Sequence, residues 1–196
     1  MTEPFSLQTG DALIVVDVQN DFLPGGSLAV ADGHAVVEPL NRYIAAFEAR
    51  ELPVYFTRDW HPPDHSSFVA RGGPWPPHCV ADTTGAAFAP GLRLPQHAVV
   101  ISKATSREAD AYSGFEGTDL DHRLQAQGVR RVFVGGLATD YCVLNTVRDA
   151  LEHKYETYLL TDAIRAVDVT PGDGDRARAE MERRGARPIT FDALGA

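Results

Sequence analysis

Several chemically capable residues stand just after apolar, β-rich runs. Asp17 follows the run at 12–16, Asp59 and His61 follow 54–56, Lys103 follows 98–101, and Cys142 lies past 132–134 in Gly135-Gly136-Leu137-Ala138-Thr139-Asp140-Tyr141-Cys142. If the runs are parallel strands, ligands collect outside their carboxyl ends, and these residues face one cleft. Cys142 falls in the first turn of an expected helix, where unpaired N–H groups and the positive dipole end favour a thiolate. That position suits a nucleophile, and the N–H groups of the glycine-containing loop before it can hold an acyl oxyanion. A lone cysteine is also commonly a small buried hydrophobe, which is the competing account.

Asp17 ends an apolar run, where a carboxylate without a partner is costly to bury. Lys103 is the candidate partner. Near both, it would keep Asp17 ionised and lower the Cys142 thiol pKa while Asp17 accepts the thiol proton; the alternative is an ion pair that only plugs the end of the sheet. Farther along, Asp59-Trp60-His61-Pro62-Pro63-Asp64-His65 and Trp75-Pro76-Pro77-His78 gather one carboxylate and three imidazoles. Asp59, His61, His65 and His78 suit one divalent transition metal, with zinc, iron and manganese all admissible. Solvated surface histidines are the plain alternative. His34, His97, His122 and His153 are scattered, and Asp64 and Cys79 read as neighbours of the ligands.

The elements that must position these groups follow from hydrophobic periodicity. Runs at 12–16, 54–56, 98–101, 132–134, 157–160 and a weaker one at 188–191 read as buried parallel strands. Apolar residues at positions 36, 37, 40, 43, 44 and 47 stripe a helix over about 33–50 that Asp32 could cap. Further helices are expected from 118 or 119 to 128, from 139–140 to about 153, and over 173–184 with a stop at Gly185. The alternation predicts a single-domain α/β fold over residues 1–196: a doubly wound, mostly parallel six-stranded sheet with helices on both faces. Connections 58–96 and 104–117 exceed the usual length, and the first holds seven of the 13 prolines, so function is sought there.

The 196 residues are 44% hydrophobic, and 27 acidic against 18 basic residues give a net charge of -9, which argues against a nucleic-acid partner. No apolar run approaches the roughly 20 residues of a membrane span. The acidic first ten residues carry no secretory or transit pattern, and two cysteines are too few for a disulfide scaffold, so a cytoplasmic location is expected.

The motifs resemble those of the nicotinamidase family of isochorismatase-like cysteine hydrolases. The likeness spans nearly the whole chain: Val16-Asp17-Val18-Gln19-Asn20-Asp21-Phe22, Gly25-Gly26-Ser27-Leu28-Ala29-Val30, the metal segment, Lys103, Tyr112-Ser113-Gly114-Phe115-Glu116-Gly117 and Gly136 through Cys142. It implies an isochorismatase-like fold and a triad in which Cys142 attacks a carboxamide, Asp17 moves protons and Lys103 supports their charges. Nicotinamide would become nicotinate and ammonia in NAD salvage, with pyrazinamide a further candidate. Asp59, His61, His65 and His78 would hold a metal that anchors the pyridine nitrogen. Phe22 and Trp75 would sandwich the ring, with Tyr112 as another wall. The resemblance also implies a cis Leu137–Ala138 peptide that aims the Ala138 and Cys142 amides at the oxyanion, with Leu137 and Ala138 beside the substrate. Ala104 departs from the family, where glycine often follows the lysine, and 105–111 varies in length among relatives. Readings that remain open are metal-activated water with a structural Cys142, a non-catalytic binding module, and an amidase for another small carboxamide. Assembly into a homo-oligomer is compatible with the sequence and not fixed by it.

Overall fold

The computed structural model describes residues 5–195; the leader reading rests partly on residues 1–4, outside that range. Six strands, β1 (Asp11–Val16), β2 (Val54–Asp59), β3 (Val99–Lys103), β4 (Arg131–Leu137), β5 (Glu156–Arg165) and β6 (Arg187–Ile189), form one sheet in the order β3-β2-β1-β4-β5-β6. Every pairing is parallel. The order reverses between β1 and β4, and this switch point is where the loops at the carboxyl ends part to leave a crevice.

Strand residues alternate between two cores, as the pleat requires. Leu13, Val15, Phe133 and Leu160 pack with Leu40, Tyr43, Ile44 and Phe47 of α1 (Val37–Glu48). Ile14, Val16, Val134 and Leu159 pack on the other face with Leu120 and Leu124 of α2 (Leu120–Ala126), Val147 and Ala150 of α3 (Leu144–Glu152) and Met181 of α4 (Asp173–Arg184). Both faces are covered, one by a single helix. No helix among the described residues is long and apolar enough to cross a membrane.

The expected helix over 33–50 begins instead with a 3₁₀ turn at Gly33–Val36. Asp32 does not cap it: its backbone is left-handed (φ 53°), its side chain makes no cap bond, and the Ala35 amide bonds to its carbonyl. The second helix is shorter than expected, and the third opens with a π turn at Thr139–Val143. α4 has the expected bounds. β2, β3, β4 and β5 all run farther toward their carboxyl ends than the apolar runs suggested: β2 and β3 end on the polar Asp59 and Lys103, β4 continues through Gly135 and Gly136 to Leu137, and β5 continues through Thr161 and Asp162 to Arg165.

Candidate active site and metal centre

Parallel register brings the first functional groups together. Val16 is opposite Thr57, and Asp59 is opposite Lys103, so the ends of β1, β2 and β3 deliver neighbouring side chains. Gly136 near the end of β4 has φ 124°, and a side chain there would collide with the Val16 backbone, so only glycine lets β4 approach β1 this closely. The chain then passes through a cis Leu137–Ala138 peptide into the π turn that carries Cys142.

Lys103 is the hub, fully buried. Its Nζ lies 2.8 Å from Asp17 Oδ2, contacts Asp59 Oδ1, and is 3.5 Å from Cys142 Sγ. Thr57 Oγ1 donates to Asp17 Oδ1 at 2.6 Å. Asp17 Oδ2 meets the Lys103 ammonium, and a carboxylate oxygen has a second lone pair that can take a proton from the thiol.

Burial raises the Asp17 pKa above the usual carboxylate range, although Lys103 opposes it. Asp59 is also desolvated, but Lys103 and His61 outweigh that and hold its carboxyl below the usual range. Burial lowers the Lys103 pKa, yet Asp17 and Asp59 more than reverse this and keep it protonated. For Cys142, burial dominates and pushes the thiol well above its ordinary value; Lys103 pulls it down, while Asp17 and Asp59 push it up. Burial thus works against the helix-end argument for a thiolate, and the two carboxylates beside one ammonium add to it: the surroundings of Cys142 favour the thiol, and a base is needed to ionise it.

A donor group for a metal adjoins this hub. Asp59 Oδ2 lies 3.6 Å from His61 Nε2 and 3.9 Å from His78 Nε2, and the two imidazole nitrogens are 3.3 Å apart. Each ring's other nitrogen faces a backbone carbonyl: His61 Nδ1 that of Ala104 at 3.2 Å, His78 Nδ1 that of Pro76 at 2.8 Å. A carbonyl can only accept, so Nδ1 carries the proton and both Nε2 lone pairs point at each other and at the carboxylate. Burial also lowers the His78 pKa, favouring neutral imidazole. This donor set fits a divalent transition metal. Ala104 adopts φ 49°, a left-handed conformation that glycine takes more easily, and this turn aims its carbonyl at His61.

His65 is not brought into that group. It stacks on His61 with ring centroids 4.2 Å apart, but its nitrogens face Ser67 Oγ at 2.7 Å and the Ala109 carbonyl at 3.1 Å. Asp64 is on the surface with Arg107, and Cys79 is a buried free thiol whose amide donates to Asp21 Oδ2 at 2.7 Å.

A pocket of about 400 Å³, opening included, joins hub and metal group. Phe22, Trp75, Tyr112, Ala138 and Cys142 line it with Asp59 and His78. Trp75 Nε1 donates to Tyr112 Oη at 2.9 Å, fixing both rings. Leu137 is not in the lining: its side chain is fully buried in the α1-side core, and only its backbone reaches the site. Sequence reading missed Thr57, Leu28, Val30, Tyr141 and Val167. Leu28, Val30 and Tyr141 stood inside quoted motifs and were signalled there; Val167 had no signal, because it comes from the connection after β5.

A family model described as the isochorismatase domain matches residues 11–193. The nicotinamidase of Escherichia coli (strain K12) is 38% identical over 201 residues, covering 92% of this chain and 94% of that protein. The solved structure of the pyrazinamidase of Pyrococcus horikoshii in complex with zinc aligns with a TM-score of 0.89 and 50% identity over 93% of this chain and 99% of the other. That of PnC1 from L. infantum in complex with nicotinate aligns with a TM-score of 0.89 and 38% identity, covering 97% of each.

Proposed function

The chain belongs to the isochorismatase family, and from that premise we propose that it hydrolyses nicotinamide to nicotinate and ammonia, with pyrazinamide as a second substrate. The observation that carries this reading is the meeting of Asp17, Lys103 and Cys142 with the Asp59, His61 and His78 donors at one pocket. The similar proteins support the substrate, being named for nicotinamide and pyrazinamide hydrolysis, and one is solved with nicotinate.

Phe22 and Trp75 line the pocket and would hold a flat aromatic amide between them, with Tyr112 on another side. Asp59, His61 and His78 would hold a divalent transition metal (zinc, iron or manganese), which would supply a Lewis-acidic anchor for a ring nitrogen. Asp17 Oδ2 takes the Cys142 proton as Sγ attacks the carboxamide carbon. The Ala138 and Cys142 amides receive the oxyanion. Asp17 then gives its proton to the leaving nitrogen, ammonia departs and a thioester remains. Water attacks the thioester with Asp17 again as base, releasing nicotinate and restoring the thiol. Lys103 remains an ammonium throughout, offsetting the charge that moves between Asp17 and sulfur. The two unpaired cysteines suit a reducing compartment, so we place the reaction in the cytoplasm, where nicotinate feeds NAD salvage.

The test is metal analysis of the purified protein together with ammonia release from nicotinamide and benzamide. Nicotinamide turnover should exceed that of benzamide by about 100-fold or more, since a site built to bind a polar atom rejects the analogue that lacks it. Equal rates would refute anchoring through the ring nitrogen. No ammonia from nicotinamide by the metal-loaded protein would refute the activity.

A further inference from the structure

Asp140, two residues before the nucleophile, takes a pair of consecutive backbone amides. Val167 N–H donates to its Oδ1 and Asp168 N–H to its Oδ2, each at 2.9 Å. Bonds to an ionised acceptor are stronger than neutral ones, and two of them fix the direction of the backbone as well as its position. The ends of β4 and β5 bring the segments together, since Leu137 pairs with Arg165. From there the chain turns so that Val167 lines the pocket beside Leu28 and Val30, in the same cavity as Cys142.

The rest of this connection has its own anchors. Asp168 Oδ1 accepts the Gly174 amide at 2.7 Å, and Asp173 Oδ2 accepts the Thr170 amide at 2.9 Å. Losing the Asp140 carboxylate would therefore release Val167 while leaving the connection tied to α4.

We propose that Asp140 is a positioning residue for substrate selection: it pins Val167 as a fixed apolar wall, so the pocket takes a bare ring and rejects one substituted on the edge that meets this wall. Leu28, Val30 and Val167 offer only aliphatic side chains, so this part of the pocket discriminates by shape. A wall on a loosely held loop yields to an added methyl group, whereas a pinned wall must be overpacked. One carboxylate thus ties the turn that carries the nucleophile to the wall that selects the substrate. The inference rests on the nicotinamide reading and adds to it the size limit of the ring.

The test compares kcat/KM for nicotinamide and for its 4-, 5- and 6-methyl derivatives in the wild type, Asp140→Asn, Val167→Ala and the double variant. The wild type should disfavour at least one methylated isomer by about tenfold or more, the scale of one misplaced methyl group in an apolar pocket. Each single variant should narrow that ratio severalfold, mainly through the KM of the methylated amide. The double variant should narrow it no further than Val167→Ala alone, because both changes act on one contact.

Three results would overturn the proposal: a wild type indifferent to the methyl groups, an Asp140→Asn variant with the wild-type ratio, or effects that multiply in the double variant. A loss of kcat shared equally by all the amides would assign Asp140 to the nucleophile turn alone and also overturn it. If Asp140→Asn does not fold, Asp140→Glu, which keeps the charge and displaces the oxygens, is held to the same ratio. A wild type inactive on nicotinamide would instead sink the functional reading, so the two failures are distinct.

Discussion

Thr57 Oγ1 donates a 2.6 Å hydrogen bond to Asp17 Oδ1, and both side chains are closed off from solvent. The bond occupies one carboxylate oxygen and leaves Oδ2 beside Lys103 and available to the thiol. Its removal should disturb the aim of the base more than the fit of the substrate. Thr57→Val keeps the shape and removes the donor, and it should lower kcat by about 10- to 100-fold with KM nearly constant, the scale of one hydrogen bond to a charged group. Thr57→Ser should restore most of the loss. Steady-state ammonia release checks this, and equal losses in both variants would mean that packing, not the hydroxyl, matters.

Cys142→Ala should bind metal at the wild-type ratio and release no measurable ammonia. Metal analysis and the ammonia assay decide it; near-normal turnover would place the chemistry on a metal-activated water instead. Because burial raises the thiol pKa, the neutral form should persist to higher pH than in a free cysteine. Alkylation of Cys142 in the chelated wild type should thus still be accelerating at pH values above about 8.5, where an exposed cysteine is half ionised.

Lys103→Met should cost about 3–5 kcal/mol of stability, since it strands the buried carboxylates of Asp17 and Asp59 without their cation. Urea unfolding measures it. A change below about 1 kcal/mol would show that the carboxylates take up protons at little cost. Activity should fall as well, whatever the remaining stability.

His65→Ala should keep the bound metal, while His61→Ala and His78→Ala should each lose it. The reason is geometric: the nitrogens of His65 face Ser67 and the Ala109 carbonyl, and those of His61 and His78 meet Asp59. Metal content per chain after gel filtration distinguishes the cases, and loss of metal from His65→Ala would mean that its ring turns to coordinate.

The sequence by itself determined the number and placement of the strands, the α4 boundaries and the chemical types at the sheet edge. Parallel strands covered on both faces are apolar over most of their length, so the points where the apolar runs stop are conspicuous, and Asp17, Asp59, Lys103 and Cys142 stood out just beyond them. Gly185 marked the end of α4 because a left-handed residue closes a helix there. What tertiary structure alone decided lies in distances between residues far apart along the chain. Thr57 meets Asp17 across 40 positions, and Asp140 meets Val167 across 27. Which histidines converge on Asp59, and whether sulfur rests as thiol or thiolate, depend on the same packing. Local periodicity carries no record of burial summed over several segments, nor of which lone pair is left facing another, and those are what set a ligand group and a pKa.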